Sequence, residues 1–292
     1  MRVSAVKVKL RRIAPRTLLY LVVIVIAAWV LAPYAWLIIS SISTKIDLLS
    51  VPLKWLPPRP TLENYTSLFV GSESALSQGM TFFSRSILNS LAVTFSSMGV
   101  CMVLGVFTAY AVARLEFRGR RASLLLLMGS YMMPPIAIVI PGYIILKSLG
   151  LMDTRLGLVL VNITFILPLV VWIMRGFFLS IPLELEEAAR IDGSSRIGAL
   201  LRIILPLSVP GLMSAGVFCF IASWNEYLYA FLYTSMQART LPVLIGEFTT
   251  KVGTDYLKMA AAGVVASAPP VLLALVFQRF LIRGLTEGAV KG

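Results

Sequence analysis

Apolar side chains fall along this chain in six long runs, roughly residues 17–41, 85–113, 122–146, 157–179, 207–233 and 259–282. Each is close to the ~20 residues that a helix needs to cross a hydrocarbon core. The pattern predicts six membrane-crossing helices joined by polar segments. The first run, about 25 residues long, exceeds the 7–15 of a signal-peptide core, and no small-x-small cleavage site sits convincingly behind it, so it reads as a retained helix. The third contains Met133-Pro134-Pro135, which removes helical N–H donors and predicts a kink, facing either a cavity or a packing neighbour.

Two polar segments have distinctive patterns. Residues 42–84 carry Pro52, Pro57, Pro58 and Pro60, which favour extended backbone and predict an outer loop with short helical pieces. Between the fourth and fifth runs, residues 180–206 form a charged island. Pro182 suits a first helical turn and Asp192-Gly193 a helix end, so a helix is expected over about 182–191. Ser194 is expected to cap a second helix whose inner stripe is Ile197, Leu200, Leu201 and Ile204. Ala188 and Ala189 give the bend low relief, while Glu184, Glu186 and Glu187 offer carboxylates that arginines of another protein can read. A charged loop that only separates two spans is the plain alternative.

Composition agrees with a bilayer. Apolar residues make up 58% and charged residues 13%, against soluble norms of about 45–50% and about 25%. The runs consume most of the 292 residues, so the expected organisation is one all-α polytopic domain, 17–292, behind a basic tail, 1–16. Arg2, Lys7, Lys9, Arg11, Arg12 and Arg16 before the first run, and Arg114, Arg118, Arg120 and Arg121 after the second, place both segments in the cytoplasm. Six crossings return the C-terminus, with Arg283 and Lys291, to that side, together with the 180–206 loop. The net charge of +13 sits beside the runs, with no aromatic-interleaved basic face, so lipid headgroups rather than nucleic acid are the expected counterions. Cys101 and Cys219, both inside apolar runs, read as small core residues.

Catalytic parts are missing. There is no histidine, no Gly-Lys pair and so no P-loop, and no carboxylate pair within the runs, which leaves no expected catalytic or metal site. Glu226 is the acidic residue deep in a run, where a carboxylate costs roughly 2.5–3.5 kcal/mol. On a continuous helix it shares a face with Cys219, Ala222, Ser223, Tyr229, Ala230 and Tyr233. Ser223, Asn225, Glu226, Tyr229 and Tyr233, with Asn162 from the fourth run, are candidates for a solute pathway; hydrogen bonds to a neighbouring helix are the competing reading. The small residues Ala260-Ala261-Ala262-Gly263 and Ala266-Ser267-Ala268 predict a close-packed helix face.

Glu187-Ala188-Ala189, then Gly193, then after nine residues Ile203-Ile204-Leu205-Pro206, resembles the E-A-A-x-x-x-G-x9-I-x-L-P loop of the membrane subunits of binding-protein-dependent ABC importers. Ala109-Tyr110-Ala111-Val112-Ala113-Arg114, with Phe117 and Gly119, resembles a signature of sugar-importing permeases; Gly150-Leu151, Asp153-Thr154, the stretch 222–227 and the ending 277–292 are similar to the same group. The chain is identified as resembling the smaller, maltose-permease G-type subunit from about Pro60 onward. That resemblance implies a type I ABC importer permease fold in a bacterial or archaeal inner membrane. It implies a second homologous permease, an ATPase dimer, an extracytoplasmic solute-binding protein and a sugar substrate as partners. ATP and Mg would be used by the ATPase, with no cofactor on this chain. It assigns coupling to Glu186, Glu187, Ala188, Ala189, Ile191, Asp192, Gly193, Ile203, Leu205 and Pro206, and makes residues 234–258 an external loop that either meets the binding protein or is simply solvated. An ion-gradient-driven transporter or a membrane scaffold subunit are the rival classes.

Overall fold

The structure is a computed structural model that describes residues 2–52, 54–69, 79–250 and 253–287. The basic side chains of residues 2–16 and the C-terminal residues 288–292, including Lys291, lie outside the described set. The chain divides into two compact units, one of Met1–Ser77 with Phe248–Val265, the other of Gln78–Glu247 with Ala266–Gly292.

In the first unit, α1 spans Arg2–Ser41, so the helix begins well ahead of the apolar run. Its stretch from Leu18 to Leu31 is exposed throughout, as expected of a helix whose solvent is lipid or another subunit. The following loop folds back on its end. Asn64 donates to the carbonyls of Ser41 and Ser43, each at 2.9 Å, and Tyr65 and Ser41 share a 2.6 Å hydroxyl contact. Trp36 and Trp55 meet edge to face at 5.5 Å. Short helices α2 (Lys45–Leu48) and α3 (Glu63–Phe69) interrupt the proline-rich segment.

The second unit is built on α4 (Gly79–Arg114), α7 (Arg155–Ser180) and α11 (Val209–Trp224). Helices α4 and α7 pack along much of their length, with Ile166, Val170, Met174 and Phe178 fully buried among Cys101, Ala109 and Cys219. Gly105 permits that approach, because a Cβ there would lie 2.5 Å from Val170 Cγ1. The third run is not one kinked helix but two, α5 (Arg120–Met132) and α6 (Pro135–Ser148), bent by 97°. Met133 and Pro134 each precede a proline, which disfavours helical backbone, and both are extended, with ψ of 132° and 128°.

The island after α7 folds as α8 (Leu183–Ile191) and α9 (Arg196–Ala199), a π-helical turn Leu200–Ile204, and α10 (Leu205–Leu207). The chain then turns by 80° into α11. The fifth run, expected as one helix over 207–233, breaks at 225–227 and resumes as α12 (Leu228–Tyr233), followed by α13 (Leu241–Gly246). The two-residue strands β1 (Thr249–Thr250) and β2 (Gly253–Thr254) pair antiparallel, a small departure from all-helical architecture. Last comes α14 (Tyr256–Glu287). In the first unit its stripe Ala260, Ala261, Ala262 is buried, and a Cβ on Gly263 would touch Leu37 at 3.5 Å. In the second, Pro270 has no N–H for the Ala266 carbonyl, and the Trp224 indole donates to it instead at 2.9 Å. Among the described residues four helices are long and apolar enough to cross a membrane, and counting each bent pair as one span makes six.

Candidate functional site

The charged island resolves into an exposed crest on a fixed base. Helix α8 ends in a Schellman turn: Gly193 N–H donates to the Arg190 carbonyl at 3.1 Å and Ser194 N–H to the Ala189 carbonyl at 2.9 Å, with Gly193 at φ +90°. Pro182 caps α8 rather than entering its first turn. The expected cap at Ser194 is wrong by one residue, because the Schellman bond holds Ser194 in the turn; Ser195 accepts from Gly198 N–H at 3.1 Å instead.

The predicted inner stripe of the second helix is half right. Leu200 and Ile204 are fully buried, but Ile197 and Leu201 are exposed. The wider π turn keeps positions 200 and 204 inward and rotates 201 out.

On α8 the faces separate cleanly. Glu184, Glu187, Ala188 and Ile191 follow helical spacing on the outer face, with Asp192 and Gly193 beside them; Ile191 is 86% exposed. Glu186 and Ala189 face inward, each 5% exposed, so Glu186 does not offer its carboxylate to another protein as expected, nor Ala189 its methyl. Ile203 and Leu205 are half-buried and Pro206 exposed.

What holds Glu186 comes from α4. The Tyr110 hydroxyl donates to Glu186 Oε1 at 2.5 Å, and Arg114 Nε lies 3.7 Å from Oε2, an ion pair too long for a hydrogen bond. Arg114 Nη2 donates to the Ile181 carbonyl at 2.6 Å. Gly119, at φ +90°, turns the chain back so that Arg120 donates to the Val112 and Ala113 carbonyls at 2.8 and 3.0 Å, closing the open end of α4. The residues that the sequence offered only as a permease signature thus bracket the base of α8.

Most of the candidate pathway residues hydrogen-bond within the chain, while Asn225 is exposed and the buried Asn162 Oδ1 has no partner. Glu226 does not lie on one continuous helix with Ser223 and Tyr229; its carboxylate accepts from the Tyr229 and Ala230 N–H groups at 2.7 and 3.0 Å and so starts α12. Asn162 donates to Ser223 at 2.9 Å. Tyr229 and Tyr233 are buried, with hydroxyls donating to the Pro135 and Val139 carbonyls at 3.2 and 2.7 Å. Asn225 is exposed at the break.

One anchor has no counterpart in the sequence reading beyond the Asp153-Thr154 match. Asp153, at φ +54°, accepts from the backbone N–H groups of Ser235, Met236, Gln237 and Ala238 at 3.0–3.1 Å and from the Ser235 hydroxyl at 2.8 Å. Asn89 donates to the Gln237 and Arg239 carbonyls at 2.9 and 2.8 Å and accepts from Arg155 at 2.7 Å. Desolvation pushes the Asp153 carboxyl up, but the four backbone donors outweigh it and hold it well below the ordinary carboxylate range. A lowered folded-state value means this stabilisation is complete above the unfolded value of about 3.9 and is lost as pH falls through the folded one. Asp153→Asn should therefore lower the thermal midpoint at neutral pH by about 2–4 °C and open the 234–247 segment to limited proteolysis, a difference that narrows in acid.

Residues 101–287 match the family described as binding-protein-dependent transport system inner membrane component. The chain belongs to this family. The permease is 37% identical over 273 residues to the trehalose transport system permease protein SugB of Mycobacterium tuberculosis, covering 91% of this chain and 94% of that one. It is 36% identical over 281 residues to the trehalose/maltose transport system permease protein MalG of Thermococcus litoralis, covering 95% and 97%. A solved bacterial ABC transporter that imports the acidic polysaccharide alginate has a chain superposing with a TM-score of 0.75 at 23% identity, over 92% of this chain and 96% of that one. The permease therefore has the ABC importer permease fold, and its long apolar helices are membrane spans.

Proposed function

We propose that this permease forms half of the translocation pathway of an ATP-driven importer for a sugar or sugar derivative, beside a second homologous permease. Two ATPase subunits grip residues 182–205 from the cytoplasm, and an extracytoplasmic binding protein delivers the solute. ATP and Mg belong to the ATPase; this chain supplies no catalytic group and no cofactor site. The observation that carries the reading is the outer face of α8: Glu187, Ala188, Ile191 and Asp192 stand exposed around a glycine turn while the inner face is fastened to the span helices.

Such a face suits docking. Ile191 supplies an apolar anchor, Ala188 leaves room for close approach, and Glu187 offers a carboxylate to a basic residue of the ATPase. Closure of the ATPase pair would draw two such elbows together, and the spans packed behind them would convert that movement into alternating access. The sugar class rests on the relatives, whose names include trehalose, maltose and diacetylchitobiose transport or uptake.

The test is solute flux in vesicles holding the permease with its co-expressed partners. Uptake should stop when ATP is withheld and persist when ion gradients are collapsed; flux that follows the gradient instead would make the chain a secondary transporter. A cysteine replacing Arg190 should react with an impermeant reagent only from the ATPase side.

A further inference from the structure

Helix α8 is joined to its neighbours through soft points. Ile181 and Pro182 are extended, with ψ of 131° and 136°, and Gly193 is left-handed. A force applied to the outer face of α8 would be absorbed at those joints unless something else tied the helix down. Besides its packing on α9 and the π-helical turn, the side-chain polar contacts that tie it to a span helix originate in one helical turn of α4. Tyr110 and Arg114, four residues apart on the same face, reach α8 at Glu186, the joint before it at Ile181, and the joint after it at the Arg196 carbonyl, 3.4 Å from the Tyr110 hydroxyl.

We propose that Tyr110, Arg114 and Glu186 form an intramolecular strut that carries displacement of the docking helix into span helix α4, with Glu186 a positioning residue and not an ATPase contact. The proposal rests on the docking role given to α8 above. Three observations support it. Glu186 is 5% exposed and its Oε1 is already occupied by Tyr110, so a partner cannot reach it. The end of α4 is stiffened by Arg120, which closes the Val112 and Ala113 carbonyls, so a push on Arg114 moves the helix rather than fraying it. Most informative, Arg114 Nε and Glu186 Oε2 are both buried, both without a hydrogen bond, and 3.7 Å apart. Closing that gap to the usual ~2.8 Å of a charge-assisted bond takes a movement of about 1 Å and satisfies both groups at once. The strut thus has two discrete arrangements, a long one seen here and a closed one reached when α8 is driven towards α4, as a coupling element requires.

The experiment uses the complete importer, purified with its partners and reconstituted. Tyr110→Phe removes only the hydroxyl and keeps the ring against Phe178, which it meets edge to face at 6.2 Å. Glu186→Gln keeps the shape and removes the ion pair. Each variant should copurify with the ATPase as the parent does, yet import about fivefold less solute per ATP hydrolysed, and the double variant should fall no further than the singles. A purely structural role would shift the thermal midpoint and leave the import-to-ATP ratio alone, which would overturn the strut. So would multiplicative losses in the double variant, or loss of ATPase copurification by Glu186→Gln. Failure of the docking reading looks different: Glu187→Arg would then retain normal ATPase capture, whatever Glu186→Gln does.

Discussion

Gly193→Val should abolish solute import while the permease still inserts in the membrane and purifies at near-normal yield. Gly193 has φ +90°, and beyond its chain neighbours nothing lies within 4 Å of where a Cβ would stand, so a Cβ there has room. The cost is in the backbone, where a β-branched residue at positive φ loses about 1–3 kcal/mol. The chain recovers that energy by leaving the left-handed region, which breaks the bonds from Gly193 and Ser194 to the Arg190 and Ala189 carbonyls and swings α9 away from α8. Helices α4 and α7 pack directly on each other away from this turn, so the permease still inserts although Leu200 and Ile204 lose part of their seat in the core. We expect ATPase copurification to drop at least tenfold and import to vanish with it, the equivalent of about 1.4 kcal/mol or more of docking free energy. Gly193→Asn tolerates the left-handed region and should keep most of both activities. Equal behaviour of valine and asparagine would remove the turn from the mechanism.

Much of this site is legible in the sequence, and what is not has physical causes. The turn at Gly193 is local: a proline start, a helical stretch and an Asp-Gly end specify it without help from the rest of the chain. The direction of Glu186 is not local. It is set by a tyrosine 76 positions away in α4, and the pattern Glu184, Glu186, Glu187 alone gives no reason to turn the middle one inward. The same holds for Asp153, whose donors lie 82–85 positions further on. Helical-wheel reasoning failed at Glu226 because it assumed unbroken helix across an apolar run. Hydropathy cannot register a break whose new N-terminus is capped by the acidic residue itself. The Met133-Pro134-Pro135 break was visible as a disturbance, since its cause is steric and local, but its 97° bend also depends on what α6 packs against, including Tyr229 and Tyr233.

Glu226→Leu should be the most damaging single change in the spans. In the folded chain this half-buried carboxylate satisfies two N–H groups at the start of α12, within the fifth apolar run. Leucine fits the hydropathy of the run but leaves both donors empty, at about 1–3 kcal/mol each. Helix α12 then loses its first turn, and with it the geometry that sets Tyr229 and Tyr233 against the Pro135 and Val139 carbonyls. We expect severely reduced membrane yield and, for the surviving fraction, a thermal midpoint at least ~5 °C lower. Glu226→Gln, which retains one acceptor, should fall between. The same pair decides the open question of a solute role. A capping residue changes stability with little change in the KM for solute, whereas a pathway residue does the reverse, so Glu226→Gln with normal melting and altered solute preference would return this carboxylate to the translocation route.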